Sequence, residues 1–510
     1  NLLMAQPTWG AALRPNTTYA FYLRRGLRDA AGQALAQPAA LKNALAAALG
    51  WTDAPSDADE AKLATTLAPF AAALLDGTIG ALPHDLAAVT VFRTGDPTAE
   101  LTRTAAWLRK NATITAATGW KKIKDRPEYA LYAGTYSAPN FQQGKPPYST
   151  VGGDFVFDDA GDPVVQAIET GLRVAIAVPK LPPGAGLEVG GLLPVVLFSH
   201  GTGGSYLDMA DGGKWEVAAL LCAKGFAVIG IDQPLHGPRT PKTMGKEALY
   251  LASFNFFHPA AGRTVFRQSA LDNVMLVEML KQGALDIPTL TTGGKPVSLD
   301  ANRMHFYGHS QGGIVGPLLA SVEPNLRAIV LSGAGGGLSL TVVRRKDIIN
   351  FPQLMINKLG LDEGELSEFH PAVSLIQTIV DAVDPLAYGR AVMTRPKGVR
   401  PPHVLLTEGL KDEATPAAAS EALAVAMGLS VLAPEVERSE AMAALDVKVV
   451  SAPVSNNLEV GGEKVTALLR QVASGDHYVV FTRESVAKLA RDFLVSVGNT
   501  GEAIVENSGL

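Results

Sequence analysis

Six short apolar segments recur between residues 171 and 409, and they constrain the fold of this chain more than any other feature. They read "GLRVAIAVP", "LPVVLFSHG", "FAVIGID", "RMHFYGHS", "RAIVLSG" and "PHVLLTEG", and each ends in glycine, proline or polar residues. Strands that are apolar on both faces are typical of a parallel sheet covered by helices. Helical patterns such as "WEVAALLCAK" and "SALDNVMLVEMLKQG" lie between them. The alternation predicts a doubly wound α/β domain with a mostly parallel sheet, whose chemistry lies at the carboxyl ends of the strands.

Composition excludes several classes of protein. The 510 residues are 47% hydrophobic and 18% charged, which is typical of a globular protein and not of a disordered one. The formal charge of −5 gives no indication of a basic surface for nucleic acid. Apolar stretches fall short of the roughly 18 residues of a membrane span, so we expect a soluble chain from which a leader segment could have been removed. Cys222 has no cysteine partner, which excludes an internal disulfide, and its apolar surroundings predict a buried thiol.

The first 150 residues differ in pattern from the remainder. "TYAFYL" alternates as a strand does, "DAAGQ" is typical of a turn, and "SDADEAKLATTLAPFAAALL" is helical. The proline- and glycine-rich "YSAPNFQQGKPPYSTVGG" predicts a linker or wrapping segment. We therefore expect a smaller mixed accessory region over residues 1–150 and a catalytic domain over residues 151–510.

The stretch "FYGHSQGG" places Ser310 at the end of a predicted strand and the start of a predicted helix, "QGGIVGPLLASV". Gly308 and Gly312 flank the serine, as in a nucleophile elbow, where only glycine lets strand and helix approach closely. Pro317 falls inside the predicted helix and should kink it. The alternative is an ordinary helix cap.

A glycine-rich turn, "SHGTGG", follows another strand and could present backbone N–H groups to an oxyanion. One donor would be the N–H of Gln311, directly after the serine. The second would come from Thr202 or, failing that, Gly203. An ordinary loop or a phosphate cradle is the alternative, although the turn lacks the Gly-Lys-Ser/Thr ending of a P-loop.

The third strand end, "VLLTEGLKDEATP", offers Asp412 as the residue that orients a histidine. Glu408 and Glu413 are close competitors, and Asp384 is a more distant one. His477 is the only histidine after Asp412 in the chain and is therefore the candidate base.

The other histidines give no metal-binding pattern. His200 and His309 are expected to pack or hydrogen-bond beside the site, His236 to line it, and His305 to lie in the sheet. No pair has the spacing of a zinc protease, so we expect neither a metal nor a cofactor.

Taken in order, "HGTGG", "GHSQGG", "GLKDEATP" and "SGDHYVVF" resemble the α/β-hydrolase superfamily over about residues 151 to 510. Within it the motifs are most similar to extracellular bacterial lipases and lysophospholipases, and "LRPNTTYAFYLRRGLRDAAGQAL" resembles the final hairpin of a bacterial Ig-like domain. The resemblance implies ester hydrolysis by a triad of Ser310, Asp412 and His477 in a secreted or cell-surface enzyme. Substrates would be small-molecule or lipid esters. Peripheral contact of the protein with a membrane or with lipid would be compatible with such substrates.

The segment 338–400 lies between two predicted strands, where insertions in α/β-hydrolases commonly form a helical cap. It would be either a lid that binds acyl chains or additional core packing. Two other functions stay open: an amidase or peptidase that uses the same triad, and a surface binding protein that retains the fold.

Overall fold

The computed structural model describes residues 4–55, 57–180, 191–211, 213–241, 244–255, 258–287, 291–292, 295–296, 298–347 and 350–506. The chain divides into two compact units: residues 13–96 form the smaller, and residues 1–12 together with 97–510 form the larger. Residues 97–150 lie in the larger unit, whereas the sequence pattern had predicted a boundary near residue 150. No helix within the described ranges is long and apolar enough to cross a membrane.

The smaller unit is a two-stranded sheet with two helices. Its elements are β1 (Thr18–Arg24), α1 (Ala39–Ala48), α2 (Ala58–Leu75) and β2 (Leu86–Arg93). β1 pairs antiparallel with β2, and α1 and α2 bury Leu45, Leu67 and Phe70 between them. This arrangement does not confirm the likeness to an Ig-like domain.

The larger unit contains the remaining strands. They are β3 (Thr118–Asp125), β4 (Tyr129–Asn140), β5 (Ala167–Pro179), β6 (Leu192–Ser199), β7 (Ala227–Ile231), β8 (Thr291–Thr292), β9 (Lys295–Pro296), β10 (Ser298–His309), β11 (Leu326–Ser332), β12 (His403–Gly409), β13 (Ser430–Leu432), β14 (Val449–Val450), β15 (Val454–Ser455), β16 (Leu458–Val460), β17 (Glu463–Val465), β18 (Ala467–Val472) and β19 (Ile504–Val505).

Its helices fall between these strands. They are α3 (Ala99–Asn111), α4 (Val217–Cys222), α5 (Lys246–Phe254), α6 (Pro259–Lys281), α7 (Gln311–Val322), α8 (Leu338–Arg344), α9 (Phe351–Leu359), α10 (Pro371–Val380), α11 (Pro385–Met393), α12 (Ala417–Ala426), α13 (Glu440–Ala444), α14 (Val479–Thr482) and α15 (Glu484–Thr500). Pro317 lies inside α7 and Cys222 is buried in α4, both as predicted.

A central sheet of eleven described strands runs in the order β14-β13-β18-β12-β11-β10-β6-β7-β5-β4-β3. Every neighbouring pair from β14 to β7 is parallel, whereas β5, β4 and β3 extend the other edge antiparallel. The six apolar segments are strands, as predicted, but β5 was expected to be parallel and is not. Because apolarity on both faces reports burial and not direction, the pattern could not separate the two cases.

Helices cover both faces of the sheet. One core contains Phe266 and Val274 of α6 with Leu318 of α7, and the opposite core contains Leu221 of α4 and Phe493 of α15. The parallel strands β6, β7, β10, β11, β12 and β18 share their carboxyl edge. The loops that follow them therefore meet there, and they carry every residue predicted to act in the site.

Candidate active site

Ser310 occupies a strained turn between β10 and α7. Its φ is 54° and its ψ is −117°, a backbone conformation that residues other than glycine rarely adopt. The N–H of Ser310 donates to the carbonyl of Ser332 at 2.8 Å, and its carbonyl accepts the first α7 hydrogen bond from Ile314 at 3.1 Å. Strain of this kind costs about 1–3 kcal/mol and persists only where the surrounding structure enforces it.

The two glycines beside Ser310 bring β6, β10 and α7 into contact. A β-carbon at Gly312 would overlap the carbonyl oxygen of Ser199 at the end of β6, and one at Gly308 would overlap the carbonyl of Gly312. The N–H of Gly312 also donates to the carbonyl of His200 at 3.1 Å. The elbow therefore requires glycine at both positions, as the sequence predicted.

Asp412 and His477 lie together at the neighbouring strand ends. Nδ1 of His477 donates to Oδ2 of Asp412 at 2.7 Å, and Oδ1 of Asp412 accepts the N–H groups of Ala414 and Thr415, each at 2.8 Å. The imidazole lies against Gly333, which follows β11, and 4.9 Å from the ring of His309, the residue before Ser310. Asp412 thus holds the ring in the tautomer whose Nε2 can accept a proton.

The turn after β6 abuts the serine from the other side. Gly201 lies against Ser310, and Oγ1 of Thr202 donates to Oε1 of Gln311 at 3.0 Å. Among the described residues, none accepts a hydrogen bond from the backbone N–H of Thr202 or of Gln311. The N–H of Gly203 instead donates to Nε2 of His236 at 2.9 Å, so of the two alternatives Thr202 is the available donor.

Two buried histidines support this turn. His200 accepts the N–H of Gln233 on Nε2 at 3.1 Å and donates from Nδ1 to the carbonyl of Gly201 at 2.8 Å. His236 donates from Nδ1 to the carbonyl of Pro234 at 3.0 Å, and the two rings lie 4.8 Å apart. Burial lowers the pKa of His200 to about 4 and that of His236 to about 3, so both stay neutral and keep an acceptor nitrogen.

The sheet is mostly parallel, and the three groups follow its strands in chain order. The strained serine follows β10, the acid follows β12 and the histidine follows β18, which is the order Ser, Asp, His. The chain has an α/β-hydrolase fold.

Comparison with known proteins gives matches among solved structures. No family model and no curated protein matches the chain. Acetyl xylan esterase 1 from Thermoanaerobacterium is 15% identical with a TM-score of 0.44, and the match covers 79% of this chain and 93% of that one. An acetyl xylan esterase from Paenibacillus is 15% identical with a TM-score of 0.40, covering 65% and 84%. A putative dienelactone hydrolase from Klebsiella pneumoniae is 14% identical with a TM-score of 0.37, covering 73% and 99%.

A cavity of about 200 Å³ lies next to Ser310 in this α/β-hydrolase fold. Its polar lining residues include Ser310, Gln311, Asn255, Thr341 and Thr415. Apolar residues make up most of the remainder, among them Phe254, Phe266, Ile314, Leu338, Val342, Phe351, Met355, Ile376, Ile379, Val380 and Val383. Arg345 also lines it, but Nε and Nη2 of this residue pair with Asp347 at 2.6 and 3.0 Å. The cavity therefore suits an apolar group.

The predicted cap is helical, and its halves have different surroundings. α8, α9 and α10 contribute walls of the cavity, whereas α11 buries Tyr388 and Val392 in the main core. Part of the segment 338–400 thus lines the cavity, and part of it packs in the main core.

The competing acids have other partners. Asp384 caps α11 and accepts the N–H groups of Gly337, Leu338 and Leu386. Glu408 is buried within β12, where Nε2 of Gln471 donates to it at 2.8 Å and burial raises its pKa well above the usual range. Glu413 has an exposed side chain. The structure brings only Asp412, of the four candidates, to His477.

The segment from α5 to α6 also lines the cavity, although no sequence pattern predicted it. Phe254, Asn255, Pro259 and Phe266 line the cavity from this side. An aromatic-rich stretch is no specific signal for a pocket, because which face it covers depends on tertiary packing. Within the described residues no group of three or more His, Cys, Asp or Glu side chains is placed to hold a metal ion.

Proposed function

We propose that the protein is a serine carboxylic ester hydrolase of the esterase or lipase type. The observation that carries the proposal is the convergence of a strained serine, an Asp412–His477 hydrogen bond at 2.7 Å and an apolar cavity at one edge of the sheet. Each of these three features also occurs alone in proteins of other kinds. Their combination at the carboxyl edge of one sheet is what acyl transfer requires.

In the proposed reaction, Oγ of Ser310 attacks the ester carbonyl while Nε2 of His477 takes its proton. The tetrahedral intermediate collapses, its bond to the alkoxide breaks, and His477 gives the proton to the departing alcohol. A water molecule, deprotonated by His477, then attacks the acyl-enzyme and releases the acid and Ser310. Asp412 stabilises the imidazolium that forms in both halves.

The oxyanion would be held by the backbone N–H groups of Thr202 and Gln311. Such donors commonly contribute about 3 kcal/mol each to lowering the barrier. The Thr202–Gln311 side-chain hydrogen bond fixes the two backbone segments relative to each other, and the His236 bond to Gly203 fixes the far end of the turn. Both contacts support donors that are oriented before substrate arrives.

The cavity supports a small-molecule or lipid ester as the substrate, with its acyl part among the apolar walls from α5, α6 and α8–α10. A cavity of about 150 Å³ holds benzene, so about 200 Å³ suits roughly six to eight carbon atoms. We include an exported or cell-surface location and peripheral lipid contact in the proposal, on the motif resemblance alone.

An amidase or peptidase is the second candidate, because the same groups cleave amides. The apolar cavity favours esters of apolar acids, since a peptide would bring several polar groups that need partners. A surface binding protein that retains the fold would have no need for a strained serine.

Labelling with a fluorophosphonate, together with hydrolysis of p-nitrophenyl esters from acetate to palmitate, tests the proposal. We expect the native protein to be labelled. Ser310→Ala should not be labelled, and its kcat should be lower by at least about a thousandfold. Ser374→Ala, on α10, is the matched control and should behave as the native protein. Equal turnover by native protein and Ser310→Ala, or hydrolysis of amides in preference to esters, would contradict it.

A further inference from the structure

Tyr478 directly follows the proposed base and carries an aromatic ring at the surface. The residue is 54% exposed. The centroid of its ring lies 5.2 Å from that of His477, with the ring planes at 81°, and 5.3 Å from that of His309, with the planes at 40°. Single exposed apolar side chains are common in proteins, so the position of this ring, and not its exposure, is what matters.

Hydrogen bonds fix the backbone that carries the ring. The N–H of Tyr478 donates to Oδ1 of Asp476 at 2.9 Å, and the carbonyl of Tyr478 accepts the N–H groups of Phe481 at 2.8 Å and Thr482 at 3.1 Å. Tyr478 is thus the residue from which α14 begins. Together with the ring contacts, these bonds hold the exposed ring in place beside His477.

The proposed reaction assigns a direction to each substituent of the tetrahedral carbon. The oxyanion lies at the N–H groups of Thr202 and Gln311, and the acyl chain lies in the cavity lined from α5, α6 and α8–α10. The alkoxide oxygen lies about 3 Å from Nε2 of His477, because that nitrogen gives it a proton. The alcohol part of the ester therefore extends to the His477 side of the site.

Tyr478 is the exposed aromatic residue on that side. A ring joined to the alkoxide oxygen through one carbon atom is long enough to reach from Nε2 of His477 to the tyrosine, since the two protein rings are 5.2 Å apart. Aromatic rings stabilise one another in offset-stacked or edge-to-face pairs with centroids about 4.5–7 Å apart. A saturated alcohol of the same carbon number has no π system for such a pair.

We propose that Tyr478 is a specificity-determining residue that pairs with an aromatic ring in the alcohol part of the substrate, which makes esters of benzyl-type alcohols the preferred substrates. The inference rests on the proposed ester hydrolysis and adds the leaving group to it. The alcohol is present only in the first half of the reaction. The contact with Tyr478 therefore speeds the acylation of Ser310 and plays no part when water cleaves the acyl-enzyme.

The test compares three butyrates whose alcohols have seven carbon atoms each: benzyl, cyclohexylmethyl and heptyl. Rates come from titration of the released acid, per active site counted with a fluorophosphonate. For the native protein we expect kcat/KM of the benzyl ester to exceed that of the cyclohexylmethyl ester about three- to tenfold, the gain typical of an aromatic pair. Tyr478→Phe keeps the ring and should keep this ratio, whereas Tyr478→Leu should reduce it at least about threefold.

Phe481→Leu is the matched control. Phe481 is also aromatic, and its ring lies 4.8 Å from that of His309, with the planes at 86°. Loosening the packing there should change the rates of all three esters alike and keep the ratio of benzyl to cyclohexylmethyl ester. Burst kinetics with p-nitrophenyl butyrate separate acylation from deacylation in every variant.

Three outcomes overturn the inference and leave the proposed function standing. One is hydrolysis of the esters by the native protein with no preference for the benzyl ester. Another is a preference that persists unchanged in Tyr478→Leu. The third is a deacylation rate that falls in Tyr478→Leu as much as acylation by the benzyl ester does, because the tyrosine would then act by holding His477. Absence of any ester turnover by the labelled native protein would instead overturn the proposed function, and the inference with it.

Discussion

Nδ1 of His477 lies 2.7 Å from Oδ2 of Asp412, while Oδ1 of the same carboxylate accepts two backbone N–H groups of its own loop. One oxygen therefore shapes the loop and the other orients the imidazole. This division allows the two roles of Asp412 to be separated experimentally.

Asp412→Asn should retain the fold and lose catalysis. The asparagine carbonyl can still accept the loop N–H groups, but its amide then faces Nδ1 of His477 and forces the proton onto Nε2. A histidine in that tautomer cannot take the serine proton, so kcat should fall by about ten-thousandfold, as in comparable triads. Stopped-flow or steady-state ester hydrolysis measures the loss, and the melting temperature reports the fold. Glu413→Gln, an exposed neighbour, is the control, and an unaffected Asp412→Asn would remove Asp412 from the proposed triad.

His236 should act as a positioning residue for the oxyanion turn. His236→Leu removes the acceptor for the N–H of Gly203 and frees the turn that carries Thr202. Because misplacement of about 1 Å can cost a hundredfold, kcat should fall about tenfold to a hundredfold with KM nearly unchanged. His236→Gln places an oxygen near the position of Nε2 and should recover most of the rate. Equal kcat values for the leucine and glutamine variants would contradict this role.

The cavity wall from α10 should set chain-length preference. Ile379→Trp fills space next to the site, so p-nitrophenyl butyrate and longer esters should lose at least about tenfold relative to acetate. Leu375→Trp changes the same helix at a position that is 62% exposed and should leave the profile as it is. The ratio of rates for acetate and octanoate is the measurement, because a general loss of folded protein lowers both rates alike. A profile that does not change in Ile379→Trp would mean that the acyl chain binds elsewhere.

Glu421 should make stability depend on pH. Burial raises its pKa from the ordinary 4.5 to about 7, and Nε2 of Gln471 donates to it at 3.2 Å. Between these two pH values the folded protein binds more protons than the unfolded chain, so the free energy of unfolding falls as pH rises from 4.5 to 7. Glu421→Gln should therefore be more stable than the native protein at pH 8, by about 1–3 kcal/mol, and similar to it at about pH 4.5.

Urea unfolding at the two pH values measures the difference for Glu421→Gln. The exposed Glu459→Gln is the control and should change little at either pH. A stability difference that is the same at both pH values would mean that the Glu421 carboxyl does not titrate as burial requires.

Five of the strands that end at the site, β6, β7, β10, β11 and β12, could be predicted because their side chains are apolar in uninterrupted short runs. The same is true of α7, which begins directly after Ser310 and carries Pro317 inside it. Local sequence carries this information, since burial on both faces leaves few polar positions in a strand. Chain order alone also selected His477, because no other histidine follows Asp412.

Other features depended on contacts between distant segments. β18, which precedes His477, was not predicted, and β5 pairs antiparallel although its composition matches that of the parallel strands. Asp384 and Asp412 are both acids at the ends of apolar stretches, and only the fold shows that the first caps a helix while the second contacts His477.

The sequence by itself determined the class of sheet, the elbow at Ser310 and the order of the chemical groups, because glycine spacing and apolar runs act over a few residues. Only the tertiary structure decided that Gly203 is bonded to His236 and that Asn255 lines the cavity at Ser310. Hydrogen-bond partners and cavity walls come from segments tens to hundreds of residues apart. Their identity is set by how helices and loops pack on the sheet, and no local pattern records that packing.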